Sequence, residues 1–536
     1  MTERSHRRAL RRPASRALLA ATLATLAACG VTRPRPGPGP EVARDRAYSE
    51  RYPVLAEDLQ VAIDGDTSEW PVEAAALADD EYVYLRFKVE GDQTTLQSSD
   101  ETLALYLDVD GNTLTGNTEI PEAAGMGVDA EILFSPRGSD GRGNGVAVFR
   151  HDTRGNRDNI GHAAADFHFA PTFAAEWYEA RIARSIVLEA EPIDPEPVPM
   201  GDPIASPDNP NPTPVTSRRG AIADAGTGQG AGVLALFDDR GSLIGASDPF
   251  AFALPPRIDT PALADTAIPR RRGDAVRVMS WNVLRAAPRD NPEPFARVVR
   301  AVEPDVVLVQ EWDGADGEAL VAWFNEHVGG AWFAVAKPDQ GVGIISRQPI
   351  IDTDTAPIPV DAGGSNYPVR YVAALVQTPL RDTIVASVHL KCCGSAGSRE
   401  DIRRVAEAEA INAAFANIAP SWRTTRVIGG DLNLVGSFPP LASLVDDLDE
   451  DASDLEIAAP YVLGDAAVYT WFDARSAFSP GRLDYLVYSG ANADLLNAFV
   501  LDDARLSDAA LQAAGLERGD TTASDHKPVV IDLRPR

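Results

Sequence analysis

The stretch RVIGGDLNLVG, residues 426–436, joins a buried strand to the polar end that decides the fold. Val427 and Ile428 give it an apolar start, and two glycines lead into Asp431 and Asn433. Since side chains alternate along an extended strand, we expect Asp431 and Asn433 to face the same side. A strand followed by an Asx turn would have the same letters, so the meaning of the pair depends on the rest of the chain.

Other apolar runs in the C-terminal half also carry a polar residue at one end. These polar residues are Asn282, Glu311, His389, Asp484, Asp525 and His526. A rigid sheet gathers residues that are distant in sequence when they lie at the mouths of its strands. The sequence therefore predicts one cleft that also contains Asp431 and Asn433. Strands alternating with helical segments such as PFARVVRAV (294–302) would by themselves favour a doubly wound parallel sheet.

Six short motifs, taken in order, resemble the endonuclease/exonuclease/phosphatase superfamily, the DNase I-like metal-dependent phosphoesterases. They are SWN (280–282), QE (310–311), the strand-ending His389, GDLN (430–433), RLDY (482–485) and SDH (524–526). The resemblance covers residues 275–536 and implies a four-layer α/β sandwich, with two mixed sheets face to face and helices outside. This fold replaces the parallel sheet as our prediction.

The resemblance also implies a divalent cation, Mg²⁺ or Mn²⁺, since carboxylates and water suit such ions in phosphate ester hydrolysis. Glu311 is the expected principal metal ligand, with Asn282 helping to place the ion or the phosphate. Asp525 would be a further ligand or a group that orients water. Leu284 stands where some nuclease members carry an acid, so one metal oxygen of those members is missing here.

The remaining motif residues receive catalytic roles from their charge. Asp431 would orient the attacking water or accept its proton, and Asn433 would donate to a phosphoryl oxygen without adding negative charge. Asp484 would fix the imidazole of His526, and a neighbouring carboxylate raises a histidine pKa and favours the charged form. His389 would be a second phosphate contact or the leaving-group acid.

Two cations that follow the third motif are candidates for substrate binding. Lys391 and Arg399 could grip a phosphorylated headgroup or a second phosphate, or they could be surface charges. Ser398 and Asp401 resemble a capping box, which predicts that a helix begins there and carries the cations near the cleft.

Cys392 and Cys393 are neighbours in the same stretch. Adjacent Cα atoms lie about 3.8 Å apart, which is closer than a disulfide usually requires. A bond between them would be strained, so we favour two free thiols.

Residues 55–255 are predicted to form an all-β sandwich in front of the C-terminal part, which makes the whole chain α+β. Alternating patterns with aromatic or β-branched residues indicate the strands. The predicted strands are 81–89, 102–110, 128–134, 177–182 and 232–239. The Pro-rich stretch 189–217 predicts an exposed loop, and residues 256–274 predict a linker.

This front half resembles sugar-binding modules related to carbohydrate-binding family nine. The resemblance rests on VAIDGDTSEWP (61–71), DDEYVYLRFKV (79–89) and LYLDVDGNTLTG (105–116). It makes a glycan a candidate partner, with Trp70 and Trp177 as a sugar platform. The same two tryptophans could instead be core aromatics.

An acidic turn in the second of these segments could hold Ca²⁺ in the N-terminal domain. Asp108, Asp110 and Asn112 would offer the hard oxygen ligands that this ion prefers. The ordinary alternative is a turn without an ion.

The first residues indicate export. A basic segment within residues 4–16 precedes the apolar run 17–28, which is too short for an ordinary spanning helix. Residues 26–30 resemble a bacterial lipobox, with Cys29 as the lipidated residue; a plain cleaved signal is the alternative. Residues 29–54 would form a flexible tether. We therefore expect a lipoprotein of the cell envelope, anchored in the outer membrane.

The composition narrows the function further. The chain has 536 residues and a formal net charge of −30, from 79 acids and 49 bases. Such a balance argues against a broad basic surface for nucleic acid or anionic lipid. We expect a monomeric, metal-dependent phosphoesterase for an extracytoplasmic phosphodiester or phosphomonoester, with nucleic acid, a phospholipid headgroup or a sugar phosphate as candidate substrates. The alternative is a surface adhesion or glycan-binding lipoprotein with an inactive C-terminal domain.

Overall fold

The computed structural model of the protein describes most of the chain beyond residue 60. The described residues are 61–71, 75–89, 95–112, 115–139, 141–152, 154–187, 228–258, 262–361, 366–418 and 424–536. The predicted signal segment, the lipidated Cys29, the tether and the Pro-rich loop 189–217 lie outside these residues and stay predictions. The predicted domain boundaries also stay predictions, and the described residues fall within one compact unit, Ala43–Arg536.

The N-terminal half forms two antiparallel sheets, as its alternating sequence predicts. The strands are β1 (Ala76–Ala78), β2 (Tyr82–Lys88), β3 (Thr102–Asp108), β4 (Ala130–Phe134), β5 (Val146–His151), β6 (Arg157–Asn159), β7 (His168–Ala170), β8 (Trp177–Ala183), β9 (Gln229–Phe237), β10 (Leu243–Ala246) and β11 (Phe250–Ala253). One sheet has the order β1-β2-β8-β7. The other has the order β10-β9-β3-β4-β5-β6, with β11 also paired to β9. A one-turn helix, α1 (Gly161–Ala164), precedes β7.

Aromatic side chains fill the space between these two sheets. Phe134 from β4 meets Phe169 from β7 edge-on, with ring centroids 5.1 Å apart. Phe87 stacks on Tyr178 at 5.8 Å, and all four rings are buried. Such pairs add to the free energy of burying apolar surface, so the sandwich has a core of its own.

The C-terminal half forms two mixed sheets and a short hairpin. The strands are β12 (Val276–Asn282), β13 (Val306–Gln310), β14 (Phe333–Lys337), β15 (Val342–Ser346), β16 (Ile350–Asp354), β17 (Pro359–Asp361), β18 (Asn366–Pro368), β19 (Arg370–Val376), β20 (Thr383–His389), β21 (Thr425–Asp431), β22 (Glu456–Ile457), β23 (Tyr461–Val462), β24 (Asp484–Tyr488), β25 (Ala493–Val500) and β26 (Val529–Pro535). The first sheet has the order β14-β15-β13-β12-β26-β25-β23, and the second β16-β19-β20-β21-β24-β22. Parallel and antiparallel pairs occur in both, so the predicted mixed sheets are confirmed and a doubly wound parallel sheet is excluded.

Helices cover the outer faces of this pair of sheets. They are α2 (Pro292–Val302), α3 (Gly317–His327), α4 (Arg399–Ala416), α5 (Pro439–Val445) and α6 (Asp508–Ala514). Phe295 and Val299 of α2 pack on the first sheet, and Ile411 and Phe415 of α4 pack on the second. Ser398 caps α4 by accepting a hydrogen bond from Asp401 N, which confirms the predicted helix start. The predicted four-layer sandwich is therefore confirmed.

The two halves share a buried group of charged side chains, which we call the interdomain charge cluster: Asp166, Arg181, Asp465 and Arg505. Arg181 pairs with Asp465, and Arg505 donates to Asp166 with Nη1 and Oδ2 2.8 Å apart. Arg505 Nε also lies 2.9 Å from Asp465 Oδ2. Burial raises the pKa of Asp166, but Arg181 and Arg505 hold that pKa well below its usual value. The charges therefore compensate one another at the contact between the halves.

Among the described residues, no helix combines the length and apolar character that crossing a bilayer requires.

Candidate active site

The polar strand ends of the two C-terminal sheets meet along one edge. Asn282, His389 and Asp431 are the last residues of β12, β20 and β21, and Glu311 directly follows β13. In the second sheet, Asp431 lies opposite both His389 and Asp484, because β21 pairs with β20 and β24 at that point. The strand pairing alone thus brings three titratable side chains side by side.

Gly430 allows β21 to approach β20 closely just before this edge. Its φ of +154° is a backbone angle that residues other than glycine rarely adopt, and a Cβ there would overlap the carbonyl oxygen of Val388. The glycine of the GDLN motif therefore has a direct role in holding Asp431 beside His389.

Asp431 lies at the centre of the group and is buried. Its Oδ2 accepts from Asn282 Nδ2 at 3.1 Å and from Asn433 Nδ2 at 2.9 Å, and its Oδ1 accepts from the backbone N of Asn433 at 2.9 Å. Burial and the charge of Asp484 raise the pKa of Asp431, and His526 opposes them, so that it titrates at about 7. The Asp431 carboxylate can therefore act as a base near neutral pH, and uncharged hydrogen-bond donors hold it in place.

Asn433 reaches the site by a different route from the one predicted. We expected an extended strand through both polar residues, but β21 ends at Asp431 and Asn433 adopts φ +48°. Asparagine tolerates this left-handed conformation because its short side chain bonds locally. Its Nδ2 donates to Asp431 Oδ2 and to the carbonyl of Leu390. A turn, and not an extended strand, therefore brings the side chains of Asp431 and Asn433 together.

Glu311 and His389 lie on the other side of Asp431. His389 Nε2 is 3.4 Å from Asp431 Oδ2 and 4.0 Å from Glu311 Oε1. Burial, then the charges of Arg370, His526 and Lys391, lower the pKa of His389 well below its usual value. His389 is therefore a neutral imidazole that can offer a lone pair.

His526 has the opposite character, although it is equally buried. Its Nδ1 lies 2.8 Å from Asp484 Oδ2, and its Nε2 lies 3.7 Å from Asp431 Oδ2. Burial alone would lower the pKa of His526, but the charges of Asp484 and Asp431 raise it to about 10. Thr470, which the sequence analysis missed, donates to the same oxygen of Asp484 at 2.6 Å. The site thus contains one cationic and one neutral imidazole.

Asp525 lies beside this pair. Its Oδ2 accepts from the indole of Trp471 at 3.0 Å, and its buried Oδ1 has no hydrogen-bond partner among the described residues. Asp484 Oδ1 is buried and without such a partner as well. Trp471, like Thr470, gave no signal in the sequence because it lies in an irregular segment.

The donor atoms fit a cation of the predicted type. Ligand atoms of Glu311, His389 and Asp431 lie within 4.8 Å of one another, and those of Asp431, Asp484 and His526 form a second such group. Asp525 belongs to neither group among the described residues. Asn282, predicted to help place the ion, donates from Nδ2 to Glu311 and Asp431, while its Oδ1 accepts from Leu284 N. It therefore orients two carboxylates.

The two predicted substrate cations have different surroundings. Lys391 is half-buried, and its charge reaches His389, whereas Arg399 is exposed at the start of α4. Cys392 and Cys393 are free thiols with sulfurs 2.8 Å apart. Of the two predicted cations, Lys391 is therefore the one near the site, where the charge of Arg370 also acts on His389.

The N-terminal half contains a separate acidic group. Asp108 and Asp110, predicted as Ca²⁺ ligands, are joined there by Asp129, with ligand atoms within 4.8 Å of one another. Asp108 and Asp110 also cap the turn by accepting from the backbone N of Gly111 and Asn112. Calcium at this turn stays a prediction.

The two predicted sugar-platform tryptophans differ in exposure. Trp70 is buried and donates from its indole to Glu179 Oε1 at 2.5 Å. Trp177 is 40% exposed, with the guanidinium of Arg86 over its ring. Trp70 therefore belongs to the core, while Trp177 presents an indole to solvent.

Comparison with protein-family models agrees with the strand-end motifs. Residues 279–526 match the Endonuclease/Exonuclease/phosphatase family. The C-terminal half carries this domain. The match covers a little under half of the chain and includes every predicted catalytic residue, so the predicted resemblance is confirmed for this half. A comparison with curated proteins gives no match.

Solved structures of low sequence identity align with about half of the chain. Sphingomyelinase C from Streptomyces griseocarneus is 16% identical, with 48% of this chain and 99% of that chain covered and a TM-score of 0.31. The human Nocturnin catalytic domain is 18% identical, with coverages of 51% and 97% and a TM-score of 0.33. A Staphylococcus aureus beta toxin variant with bound magnesium ions is 17% identical, with coverages of 48% and 99% and a TM-score of 0.33.

Proposed function

We propose that the protein is a divalent-metal-dependent hydrolase of phosphate esters, acting outside the cytoplasm on a phosphodiester or a phosphomonoester. The observation that carries this proposal is the convergence of Glu311, His389, Asp431 and Asp484 from four strand ends, together with His526 from the turn before β26. The family match supports the general reaction, because its description names nucleases and phosphatases.

The donor set supports a metal as part of the site. Glu311 and Asp431 offer carboxylate oxygens, His389 offers a neutral nitrogen, and Mg²⁺ or Mn²⁺ accepts such ligands. When bound, the ion would supply a positive charge that makes a phosphate ester easier for a nucleophile to approach.

The side chains of this chain have distinct tasks in the proposed reaction. Asp431, held by Asn282 and Asn433, would accept a proton from the attacking water or orient it. His526, kept charged by Asp484, would stabilise negative charge that develops on a phosphoryl oxygen. His389 is neutral, so it is better suited to bind a metal ion or to contact phosphate than to serve as the leaving-group acid, which was its other predicted role.

A substrate panel tests the proposal. Wild-type protein is incubated with bis-p-nitrophenyl phosphate, p-nitrophenyl phosphate, plasmid DNA and sphingomyelin vesicles, each with Mg²⁺, Mn²⁺ or EDTA. We expect turnover of at least one substrate, its loss in EDTA and its recovery with excess Mg²⁺ or Mn²⁺. Glu311→Gln should require more metal for half-maximal activity. Absence of turnover on the whole panel with both metals would overturn the proposal and favour the glycan-binding alternative.

Location and anchoring are part of the same proposal. The basic and apolar first residues and the lipobox-like sequence before Cys29 support export and a lipid anchor. Cys29→Ala is expected to move the protein from the membrane fraction to the soluble fraction of the envelope. Recovery of the variant in the membrane fraction would contradict the anchor.

A further inference from the structure

We propose that the N-terminal sandwich positions the active site, and that Thr172 is the positioning residue through which it acts. The kinetic part of this inference rests on the proposed function. The structural part concerns two irregular stretches beside the catalytic residues, which we call the rim segments: residues 434–438, directly after Asn433, and residues 471–482, which end two positions before Asp484.

Thr172 connects the two rim segments. It belongs to the loop after β7, is buried, and directs its hydroxyl toward the carbonyl oxygens of Leu434 at 3.1 Å and Arg482 at 3.2 Å. Its methyl group packs against Gly481, where a Cβ would overlap it. One side chain of the sandwich thus holds a residue just beyond Asn433 and a residue two positions before Asp484.

Further contacts from the sandwich hold the first rim segment. Gly436 O accepts from the backbone N of Ala174 at 2.8 Å and from Thr95 Oγ1 at 3.2 Å. Thr95 Oγ1 in turn accepts from Ala396 N at 3.0 Å, in the loop that follows His389. The sandwich therefore reaches both loops that leave β20 and β21.

The second rim segment is held in a similar way. Ser479 N donates to Gln97 Oε1 at 2.8 Å, and Ala477 O accepts from Val146 N at 2.7 Å. His162 Nε2 lies 3.1 Å from Ser476 O. Within the segment, Trp471 donates to Asp525, so its position is linked to the site.

These contacts matter because most residues of the rim segments lack the ladder hydrogen bonds that hold a strand. Isolated bridges join Trp471 to Gly481 and to His526, and the rest of the second segment has no strand partner among the described residues. The ends of the rim segments lie at or beside four site residues: Asn433, Thr470, Trp471 and Asp484. Small displacements there would move hydrogen bonds to Asp431 and His526. A free C-terminal domain would need other contacts to keep this geometry. The sandwich supplies them from the loops that join its strands and from the first residue of β5.

The test compares three variants of the full chain. Thr172→Val removes the hydroxyl and keeps the shape, and Thr172→Ser keeps the hydroxyl. Thr102→Val is the matched control, since Thr102 is also buried and donates to a carbonyl, that of Ser135 at 2.9 Å, but within the sandwich. The measurements are hydrogen–deuterium exchange of the rim segments, melting temperature, and kcat and KM on whichever substrate the wild type turns over.

We expect Thr172→Val to speed amide exchange in both rim segments about threefold to tenfold and to lower kcat by a similar factor, as loss of one buried hydrogen bond implies. Thr172→Ser should stay within about twofold of the wild type, and Thr102→Val should lower the melting temperature without either effect. Gln97→Met, a second variant should the first fail to fold, should speed exchange in residues 471–482 and leave 434–438 unchanged.

Unchanged rim exchange in both Thr172→Val and Gln97→Met would overturn the inference. Equal exchange in Thr172→Val and Thr172→Ser would also overturn it, because the hydroxyl would not be the anchor. Exchange reports on the contacts without any substrate. Wild-type protein that turns over nothing would therefore count against the proposed function, while the exchange data would still decide the positioning role.

Discussion

Two buried polar clusters of this protein are built from similar side chains and differ in how their charges are balanced. In the interdomain charge cluster, two arginines face two aspartates, and each carboxylate oxygen of Asp166 and Asp465 has a partner. The active-site cluster contains three acids, Glu311, Asp431 and Asp484, and one cationic imidazole, that of His526. In this cluster Asp484 Oδ1 is buried without a hydrogen-bond partner among the described residues. The first arrangement satisfies its charges internally, and the second leaves negative charge in excess.

The difference indicates what each cluster is for. Buried acids that repel one another cost free energy unless something positive joins them, so an excess of acid at a strand edge suits the binding of a cation. A balanced cluster gives no such opening and instead fixes how two surfaces meet. Substitutions should separate the two roles, since one set should change activity and the other stability.

Asp431→Asn should give the largest effect on activity. The amide keeps the shape but cannot accept a proton from water, so we expect kcat/KM to fall by about 10³-fold. The melting temperature should fall modestly, since the amide cannot accept all three hydrogen bonds that the carboxylate accepts from Asn282 and Asn433. Asp339→Asn, at an exposed aspartate, is the control. A tenfold loss or less would show that Asp431 is not the proton acceptor.

Arg181→Met should have the largest effect on stability. It leaves Asp465 with one arginine in a buried site, and breaking a buried pair costs about 3–5 kcal/mol. Equilibrium unfolding in urea measures this cost, and Arg150→Met, which breaks an exposed pair with Asp158, should cost less than about 1 kcal/mol. Equal costs for the two variants would contradict the contrast between the clusters.

Acid should weaken the contact between the two halves through His168. This histidine lies 2.9 Å from Asp166 Oδ1 and stacks on Tyr469. Burial, with a contribution from Arg181, lowers the pKa of His168 to about 4. Its unfolded pKa is about 6.5, so the unfolded chain binds more protons between these values and stability falls as the pH drops through that window.

We expect His168 to contribute roughly 2 kcal/mol to the loss of unfolding free energy between pH 6.5 and pH 4.5. Urea unfolding gives the loss of unfolding free energy between the two pH values for the wild type and for His168→Gln. The amount by which the wild-type loss exceeds the loss in the variant is the contribution of His168. An identical pH dependence in the two proteins would show that His168 is not the titrating group.

Removal of a single cation near the site should have the smallest effect. Lys391→Met should raise KM about threefold, because a half-buried positive charge beside an anionic substrate contributes modestly. Arg399→Met should leave KM within about twofold, since Arg399 is exposed. The reverse order would mean that the substrate extends along α4 instead of over His389.

The fold and most of the site could be predicted because strand ends carry local signals. An apolar run that ends in one polar residue predicts both a buried strand and the edge where its last side chain lies, as for Asn282, Glu311 and His389. The prediction for Asn433 was wrong about the backbone, because nothing in the letters distinguishes a continuing strand from a left-handed turn. Its side chain still reaches Asp431, since either geometry keeps the two residues adjacent.

Contacts between distant segments could not be predicted in this way. Arg181 and Asp465 meet across 284 positions, and neither lies in a motif. Thr470 and Thr172 act through single hydroxyl groups in irregular segments, where alternation and helical periodicity give no information. Asp129 joins Asp108 and Asp110 only because β4 pairs beside β3, which requires the sheet order to be known.

The interdomain charge cluster also limits how such a protein can change by recombination. A gene that joined the C-terminal half to an unrelated front module would bring Asp465 and Arg505 without Asp166 and Arg181. The charges of Asp465 and Arg505 would then be buried under the new module without their partners from the front half. Exchange of the front module would need compensating substitutions on both sides. The two halves of this chain are therefore matched in charge at this contact, although each has its own sheets.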